Sequence, residues 1–209
     1  MNRGILIVLS GFSGAGKGTL MKELMKTYDN YALSVSMTTR SPRQGEINGR
    51  EYFFSTRETF EEKIAQNGLI EYAEYCGNYY GTPRDYVEEQ LAKGKDVILE
   101  IEIQGMRKVK QMFPEVLALF VTPPSAAELE RRLRGRGTET EDAIKKRLMR
   151  AAGEADGVED YVYIIINDDL QACVAQIHGI VQAAKLSTMR NAAFIKNIRK
   201  EIGDLSKGE

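Results

Sequence analysis

The sequence predicts an α/β fold built on a parallel sheet that carries a phosphate-binding loop. Three observations lead there. An apolar, β-branched run at 5–9 feeds Gly11-Phe12-Ser13-Gly14-Ala15-Gly16-Lys17-Gly18-Thr19, and Leu20, Met21, Leu24 and Met25 follow at helical spacing. Strand, glycine loop and helix in that order let backbone N–H groups converge on a phosphate, and the helix N-terminus adds positive partial charge. The stretches 97–103 and 117–121 are almost continuously apolar, as strands buried on both faces of a parallel sheet are.

Within the loop, Lys17 supplies a point charge for β- and γ-phosphates. Gly18 stands where a Ser or Thr usually follows that lysine to hold Mg2+, and Thr19 comes one residue later.

Composition sets the outer bounds. The 209 residues suit one domain, with room for inserted subdomains. A hydrophobic fraction of 43% is ample for a core, and a net charge of −1 excludes a surface basic throughout, as a nucleic-acid or membrane platform would be. Cys76 and Cys173 lie far apart and form no C-x-x-C, and no apolar leader precedes Ile5, so a reduced, cytoplasmic compartment is expected. No apolar run approaches transmembrane length. His178, set among Ile177, Ile180 and Val181, reads as a structural or surface residue, which leaves no histidine-based catalysis.

After the first helix, 31–36 reads as a second strand. The segment Thr38-Thr39-Arg40-Ser41-Pro42-Arg43-Gln44-Gly45-Glu46 has no helical periodicity. Its Pro42 and Gly45 set a turn that either aims two guanidinium forks at one anion or is an exposed basic loop. A short aromatic strand, 51–54, precedes Ser55-x-x-Glu58, a capping box for a helix carried by Phe60 and Ile64 and ended near Gly68. The alternation at 69–75 reads as a strand, in which Glu71 is either an exposed residue or a ligand. Thr82, before Pro83 and three residues ahead of Asp85, is a helix N-cap, a ligand, or both. That helix ends at Gly94. In the buried run that follows, Glu100 and Glu102 share one side, at the end where open α/β sheets bind ligands. Carboxylates there need a partner: a metal-linked water, a substrate donor or a rim salt bridge.

Thr122-Pro123-Pro124 closes the 117–121 strand. Ser125-x-x-Glu128 caps a helix with Leu129 and Leu133 inward, which runs into Arg131, Arg132, Arg134, Gly135, Arg136, Gly137 and Thr138. Arginine and glycine so interleaved, beside Glu139, Glu141 and Asp142, describe a mobile basic flap. The next helix presents Lys145, Lys146, Arg147 and Arg150. A last core strand at 161–166 ends in Asn167-Asp168-Asp169, and a helix with Leu170, Val174, Ile177 and Val181 inward comes after it. From Lys185 on, the pattern is a terminal amphipathic helix that frays at Gly203.

Together, Ser34-Val35-Ser36, Thr38-Thr39-Arg40-x-Pro42-Arg43-x-Gly45-Glu46, Gly49-x-x-Tyr52, Glu71, Gly77-Asn78-Tyr79-Tyr80-Gly81-Thr82, Glu100, Gln104-Gly105, Arg136-Gly137 and Asn167-Asp168-Asp169 resemble the guanylate kinases. The likeness holds in order and spacing over nearly the whole chain to about Lys185. Other nucleoside monophosphate kinases share the phosphate loop but not this set. The chain departs from the family's pattern at Phe12, often proline there, at Gly18, and at Glu102, where aspartate is common.

The resemblance implies a three-layer P-loop fold: a parallel-sheet core (1–33, 97–124 and 161–184), an inserted GMP-binding region (34–96) and a mobile lid (125–160). The C-terminal helical tail (185–209) falls outside it. It further implies Mg2+-dependent, in-line transfer, ATP + GMP → ADP + GDP. ATP would be held by Gly11, Ser13, Gly14, Ala15, Gly16, Lys17, Gly18 and Thr19, with Asn167 near the adenine. Arg40, Arg43, Tyr52 and Tyr80 would grip the GMP phosphate, with Glu46 also among the GMP-binding residues. Ser36, Glu71, Thr82 and Glu100 would read guanine, and Glu102 would reach a metal-linked water. Lys17, Arg40, Arg132, Arg136 and Arg147 would stabilise the transferring group. The implied partners are ATP and GMP, with no nucleic acid and no membrane. Two other readings are a catalytically silent binding module of the same fold and a kinase for a different monophosphate. The retained Gly16-Lys17, Arg40, Arg43 and Glu71 speak against the first, and Glu71 with Thr82 against the second.

Overall fold

Apolar, β-branched segments pair side by side to make the principal sheet. From one edge to the other its strands are β2 (Tyr31–Leu33), β7 (Asp96–Leu99), β1 (Leu6–Gly11), β8 (Leu117–Thr122) and β9 (Tyr163–Ile166). Every pairing is parallel. The computed structural model describes residues 3–135 and 140–206.

Alternation along β1 decides the layering. Ile7 and Leu9 pack with Leu20, Met21 and Leu24 of α1 (Lys17–Thr27) and with Val174, Ile177 and Val181 of α7 (Leu170–Lys185). Leu6 and Val8 face the other way, onto Val87 and Leu91 of α3 (Arg84–Ala92) and Met106 and Val109 of α4 (Ile103–Met112). A sheet with helices on both faces is the result, and each fully buried aliphatic side chain contributes about 1.5–3 kcal/mol. Buried Asp96 pins the edge of this sandwich, accepting from Ile5 N–H at 3.0 Å and pairing with Lys185 Nζ at 2.7 Å.

A smaller sheet is inserted between β2 and β7, in the order β4 (Phe53–Phe54), β3 (Met37–Thr38), β6 (Asn78–Pro83), β5 (Leu69–Tyr75). Strands β5 and β6 form a hairpin whose two-residue turn, Cys76-Gly77, has φ of 50° and 74°. Positive φ at both turn residues matches the right-handed twist of the flanking strands. Phe60 of α2 (Arg57–Ala65) closes the core of this part with Met37 and Leu69. Helices α5 (Ala126–Arg134) and α6 (Glu141–Ala155) pack together through Leu129, Leu133, Ile144 and Ala151.

Several expected elements are revised. The 31–36 strand is cut short: β2 stops at Leu33, 34–36 lie in no strand, and the smaller sheet begins at Met37. The 51–54 strand narrows to Phe53 and Phe54. Thr56 rather than Ser55 is the N-cap of α2, accepting from Thr59 N–H. Thr82 is no cap: it lies buried in β6, and Pro83 precedes α3 without a side-chain cap bond. The apolar run at 97–103 is a four-residue strand followed by a helix start, so Glu100 lies past the strand and Glu102 is the N-cap of α4. Met25 is exposed, and β9 is an edge strand in which only Ile165 is buried. Ser125 does cap α5, accepting from Glu128 N–H at 3.1 Å. Helix α8 (Ala192–Leu205) continues through Gly203 instead of fraying there. His178 is structural as expected, stacked on Tyr28 at 3.6 Å and hydrogen-bonded to Tyr31 Oη at 2.9 Å.

Candidate active site

The C-terminal ends of β1 and β7 open into a cleft of 370 Å³, lined by Ser10, Gly11, Ser13 and Lys17 on one side and Glu100, Glu102, Arg150 and Glu154 on the other. Tyr52, from the segment that holds β4, reaches the same cleft. An open parallel sheet binds ligands at this edge because helix N-termini and loop N–H groups converge there.

The phosphate loop is held in shape by neighbours on three elements. Gly16 has φ of 93°, and a Cβ there would stand 2.5 Å from Asn167 Nδ2. Glycine is required on both counts. Asn167 is buried, and its Nδ2 donates to Ala15 O at 2.7 Å, so its amide braces the loop from beneath. Arg132 donates to Asn167 O at 2.8 Å and pairs with Glu128 at 2.7 Å. Arg147 donates to Ser13 Oγ at 2.9 Å. Two lid-segment arginines are thereby placed on the loop. Arg136, with Gly137, Thr138 and Glu139 of the expected flap, lies outside the described residues.

Lys17 opens α1 and folds back over the loop, donating to Gly11 O at 2.7 Å and Phe12 O at 3.3 Å. Burial lowers its pKa, while the charges of Glu100, Glu154 and Glu102 oppose that shift. Gly18 and Thr19 are exposed at the start of α1. A Cβ at Gly18 would meet nothing within 4 Å, so packing does not forbid a hydroxyl at that position.

Across the smaller sheet, a second cluster is preassembled. Arg40 pairs with both oxygens of Glu46 at 2.9 Å, and Glu46 also accepts from Arg43 N–H at 2.7 Å. That backbone bond, followed by the Arg40 fork, holds the Glu46 carboxyl below the usual range. The Arg40 guanidinium stands 5.3 Å from the Tyr52 ring centre, and the Tyr52 and Tyr80 rings are 6.0 Å apart. Ser36 sits in the link between the two sheets, its carbonyl accepting from Phe53 N–H at 2.8 Å.

Glu71, on β5, accepts from the buried Thr82 hydroxyl on β6 at 2.8 Å. Burial raises the Glu71 pKa first of all, against the Thr82 bond and Lys108, and the nearby Glu102 charge adds to the rise. Glu100 and Glu102 diverge in their surroundings. Glu100 stands in the open cleft opposite Lys17, whose charge counters the upward shift that protein crowding gives its carboxyl. Glu102 is the one whose charge reaches Glu71, and it pairs with Arg150.

A model of the guanylate kinase family, described as "Guanylate kinase", matches residues 3–184 of the chain. The chain belongs to the guanylate kinase family. A guanylate kinase of Desulfitobacterium hafniense strain Y51 is 51% identical over 197 residues, covering 94% of this chain and 98% of that protein. That of Bacillus subtilis strain 168 is 49% identical over 197 residues, 94% of this chain and 97% of the relative. The crystal structure of guanylate kinase from Anaplasma phagocytophilum matches at a TM-score of 0.70 with 36% identity, covering 90% of each chain. The family accounts for the parallel P-loop core and for the loop's position over α1.

Ser10, Arg150 and Glu154 line the cleft of this guanylate kinase without having been marked as site residues in the sequence. The Ser10 hydroxyl donates to Ile101 O at 2.6 Å and so fixes the connector that carries Glu100 and Glu102. For the other two a signal existed. Arg147, Arg150 and Glu154 recur at three- and four-residue spacing, which puts them on one face of α6.

The raised Glu71 pKa has a measurable consequence. If Glu71 reads the guanine base, as the resemblance implies, protonation removes acceptor capacity there, and the protonated fraction grows as pH falls through the raised value. The kcat/KM for GMP is therefore expected to decline on the acid side at a pH above that of an ordinary carboxylate. The GMP phosphate titrates too, so the comparison is with Glu71→Gln, whose profile should lack the Glu71 limb. Superimposable profiles would show that Glu71 is not the titrating group.

Proposed function

We propose that this guanylate kinase transfers the γ-phosphoryl group of ATP to GMP in line, with Mg2+ carried by the nucleotide, and that it does so in the cytoplasm. The observation that carries the reading is the cleft itself, where Lys17 on the loop, Tyr52 from the smaller-sheet side and Glu100 and Glu102 on the connector face one space. Supporting it, three regions divide the labour: the loop and its sheet (1–33, 97–124, 161–184) for ATP, 34–96 for GMP, and 125–160 as the lid.

Phosphoryl transfer asks little covalent chemistry of the protein, so positioning and positive charge dominate. Loop N–H groups from Gly11 to Thr19 and Lys17 hold the donor phosphates. Arg40, Arg43, Tyr52 and Tyr80, with Glu46 ordering the first two, hold the acceptor phosphate. Arg132 and Arg147 act on the transferring group, and Arg136 is assigned with them. Guanine presents N1–H and N2–H2 side by side, which match the two oxygens of one carboxylate, Glu71. Its O6 acceptor suits the Ser36 hydroxyl, while Thr82, whose one hydroxyl hydrogen goes to Glu71, orients the carboxylate that reads the base. Asn167, which braces the loop through Ala15 O, is assigned to the ATP base on the resemblance. Of the two connector carboxylates, the geometry favours Glu100 for a metal-linked water and Glu102 for the guanine side. That reverses the assignment taken from the resemblance.

Among the described residues, no cluster of His, Cys, Asp and Glu forms a cage for a metal ion. The proposed Mg2+ keeps several waters and binds mainly to the phosphates of its nucleotide, so it needs no such cage. Glu100 would meet it through water, and the bound ion would neutralise charge on the β- and γ-phosphates. Among the described residues no helix is long and apolar enough to cross a membrane. Cys76 and Cys173 are unpaired thiols, as fits a reducing compartment.

Coupled detection of ADP tests the reading. Release is expected only with ATP, GMP and Mg2+ together, and chelation of the metal should remove nearly all of it. Full activity in excess chelator, or ADP release independent of GMP, would contradict the proposal.

A further inference from the structure

One face of α6 clasps the cleft at two points. Arg147 touches the phosphate loop through Ser13. One turn later, Arg150 donates from Nη2 to Glu102 Oε1 at the start of α4 and from Nε to Glu154 Oε1 on its own helix, the latter at 3.0 Å. Sequence alone leaves Arg150 as one more cation on a solvated helix.

Glu102 is the N-cap of α4, yet its side chain makes no capping bond. Arg150 holds it by one oxygen, and among the described residues Oε2 accepts nothing. Glu71 Oε2 lies beside the first turn of the same helix, since a Cβ at Gly105 would stand 3.4 Å from it. The 2-amino group of guanine has two hydrogens. Glu71 takes one of them together with N1–H, which leaves the second for another acceptor. Glu102 Oε2 is the available one on the α4 side.

We propose that Arg150 is a positioning residue for guanine recognition: by pinning Oε1 of Glu102 it aims Oε2 at the second hydrogen of the 2-amino group. This rests on the reading of the cleft as the guanine site. Glu102 is 69% exposed even with Arg150 in place, so without that pin its carboxylate is free to change rotamer. Because Arg150 and Arg147 share a helix face, the same pair ties the guanine contact to the placement of α6.

IMP lacks the 2-amino group, so a residue that acts through that group changes GMP kinetics and spares IMP. The test is kcat/KM for GMP and IMP, at saturating ATP, on wild type, Arg150→Ala, Arg150→Lys and Glu102→Gln, with thermal melts confirming folded protein. Arg150→Ala is expected to lower kcat/KM for GMP roughly three- to fivefold, the scale of a half-exposed ion pair. The loss should appear in KM rather than kcat, with IMP and the KM for ATP unchanged, and Arg150→Lys should recover part of it. If Arg150→Ala affects GMP and IMP alike, or neither, while Glu102→Gln narrows the preference for GMP, the positioning role is overturned and the guanine site stands. If Glu102→Gln leaves that preference at the wild-type value, the placement of Glu102 at guanine fails, and the role of Arg150 fails with it.

Discussion

Replacing Lys17 with methionine is expected to lower kcat by about 10³-fold or more while the fold persists. The side chain stands at the mouth of the loop with Gly11 and Phe12 carbonyls as its only hydrogen-bond partners among the described residues. In the proposed mechanism its ammonium follows the phosphoryl group from donor to acceptor oxygen. Methionine keeps the length and most of the buried methylene contacts, so the loss isolates the ammonium. A 10³-fold drop corresponds to about 4 kcal/mol of transition-state stabilisation, more than one neutral hydrogen bond supplies. Steady-state kinetics at saturating ATP and GMP, with a thermal melt on the same sample, separate this from unfolding. A variant that keeps more than about a tenth of wild-type kcat would remove Lys17 from the mechanism.

Glu71→Gln should lower kcat/KM for GMP by about 10²- to 10³-fold and for IMP by less. Thr82 donates its hydroxyl to Glu71 Oε1, and a glutamine that keeps this bond turns its oxygen toward Thr82. Its NH2 then faces the N1–H and N2–H2 donors of guanine. Donor meets donor where the half-buried carboxyl stood, and both charged bonds are lost at once. IMP loses only the bond at N1, so the variant narrows the gap between the two nucleotides. Equal losses for GMP and IMP would show that Glu71 does not span both groups.

Local signals carried much of this fold. The phosphate loop was legible because strand, glycines, lysine and helix are contiguous, and the β1 pattern is apolar on both faces. In the sequence Thr82 stays open between cap and ligand for the opposite reason. A threonine ahead of proline looks like a cap, but its hydroxyl is used by Glu71 on the neighbouring strand, eleven residues back in sequence. Similarly, periodicity sees the apolar run at 97–103 as one strand. Only packing reveals that Ile103 belongs to a helix, which moves Glu102 to a helix start beside Glu71. The end of β2 at Leu33 was equally invisible, because the smaller sheet that starts at Met37 asks for the same residue types. Arg150 and Glu154 show the limit most clearly. Their helix spacing was readable, but charged residues on a helix face usually meet solvent, and nothing local distinguishes the ones that meet a cleft.

Guanine selection through the Glu71–Thr82 pair is the centre of the account, and kcat/KM of the wild-type enzyme for GMP, IMP and AMP tests it most directly. IMP retains N1–H and O6 and loses the 2-amino group, so it should fall about ten- to a hundredfold below GMP. AMP sets a lone pair at N1 against the carboxylate and a 6-amino group against a hydroxyl placed for an acceptor, and sites built on such pairing reject the wrong analogue by about 10⁴- to 10⁵-fold. The expected order is GMP over IMP, and IMP far over AMP. A kcat/KM for AMP within about tenfold of that for GMP would contradict it.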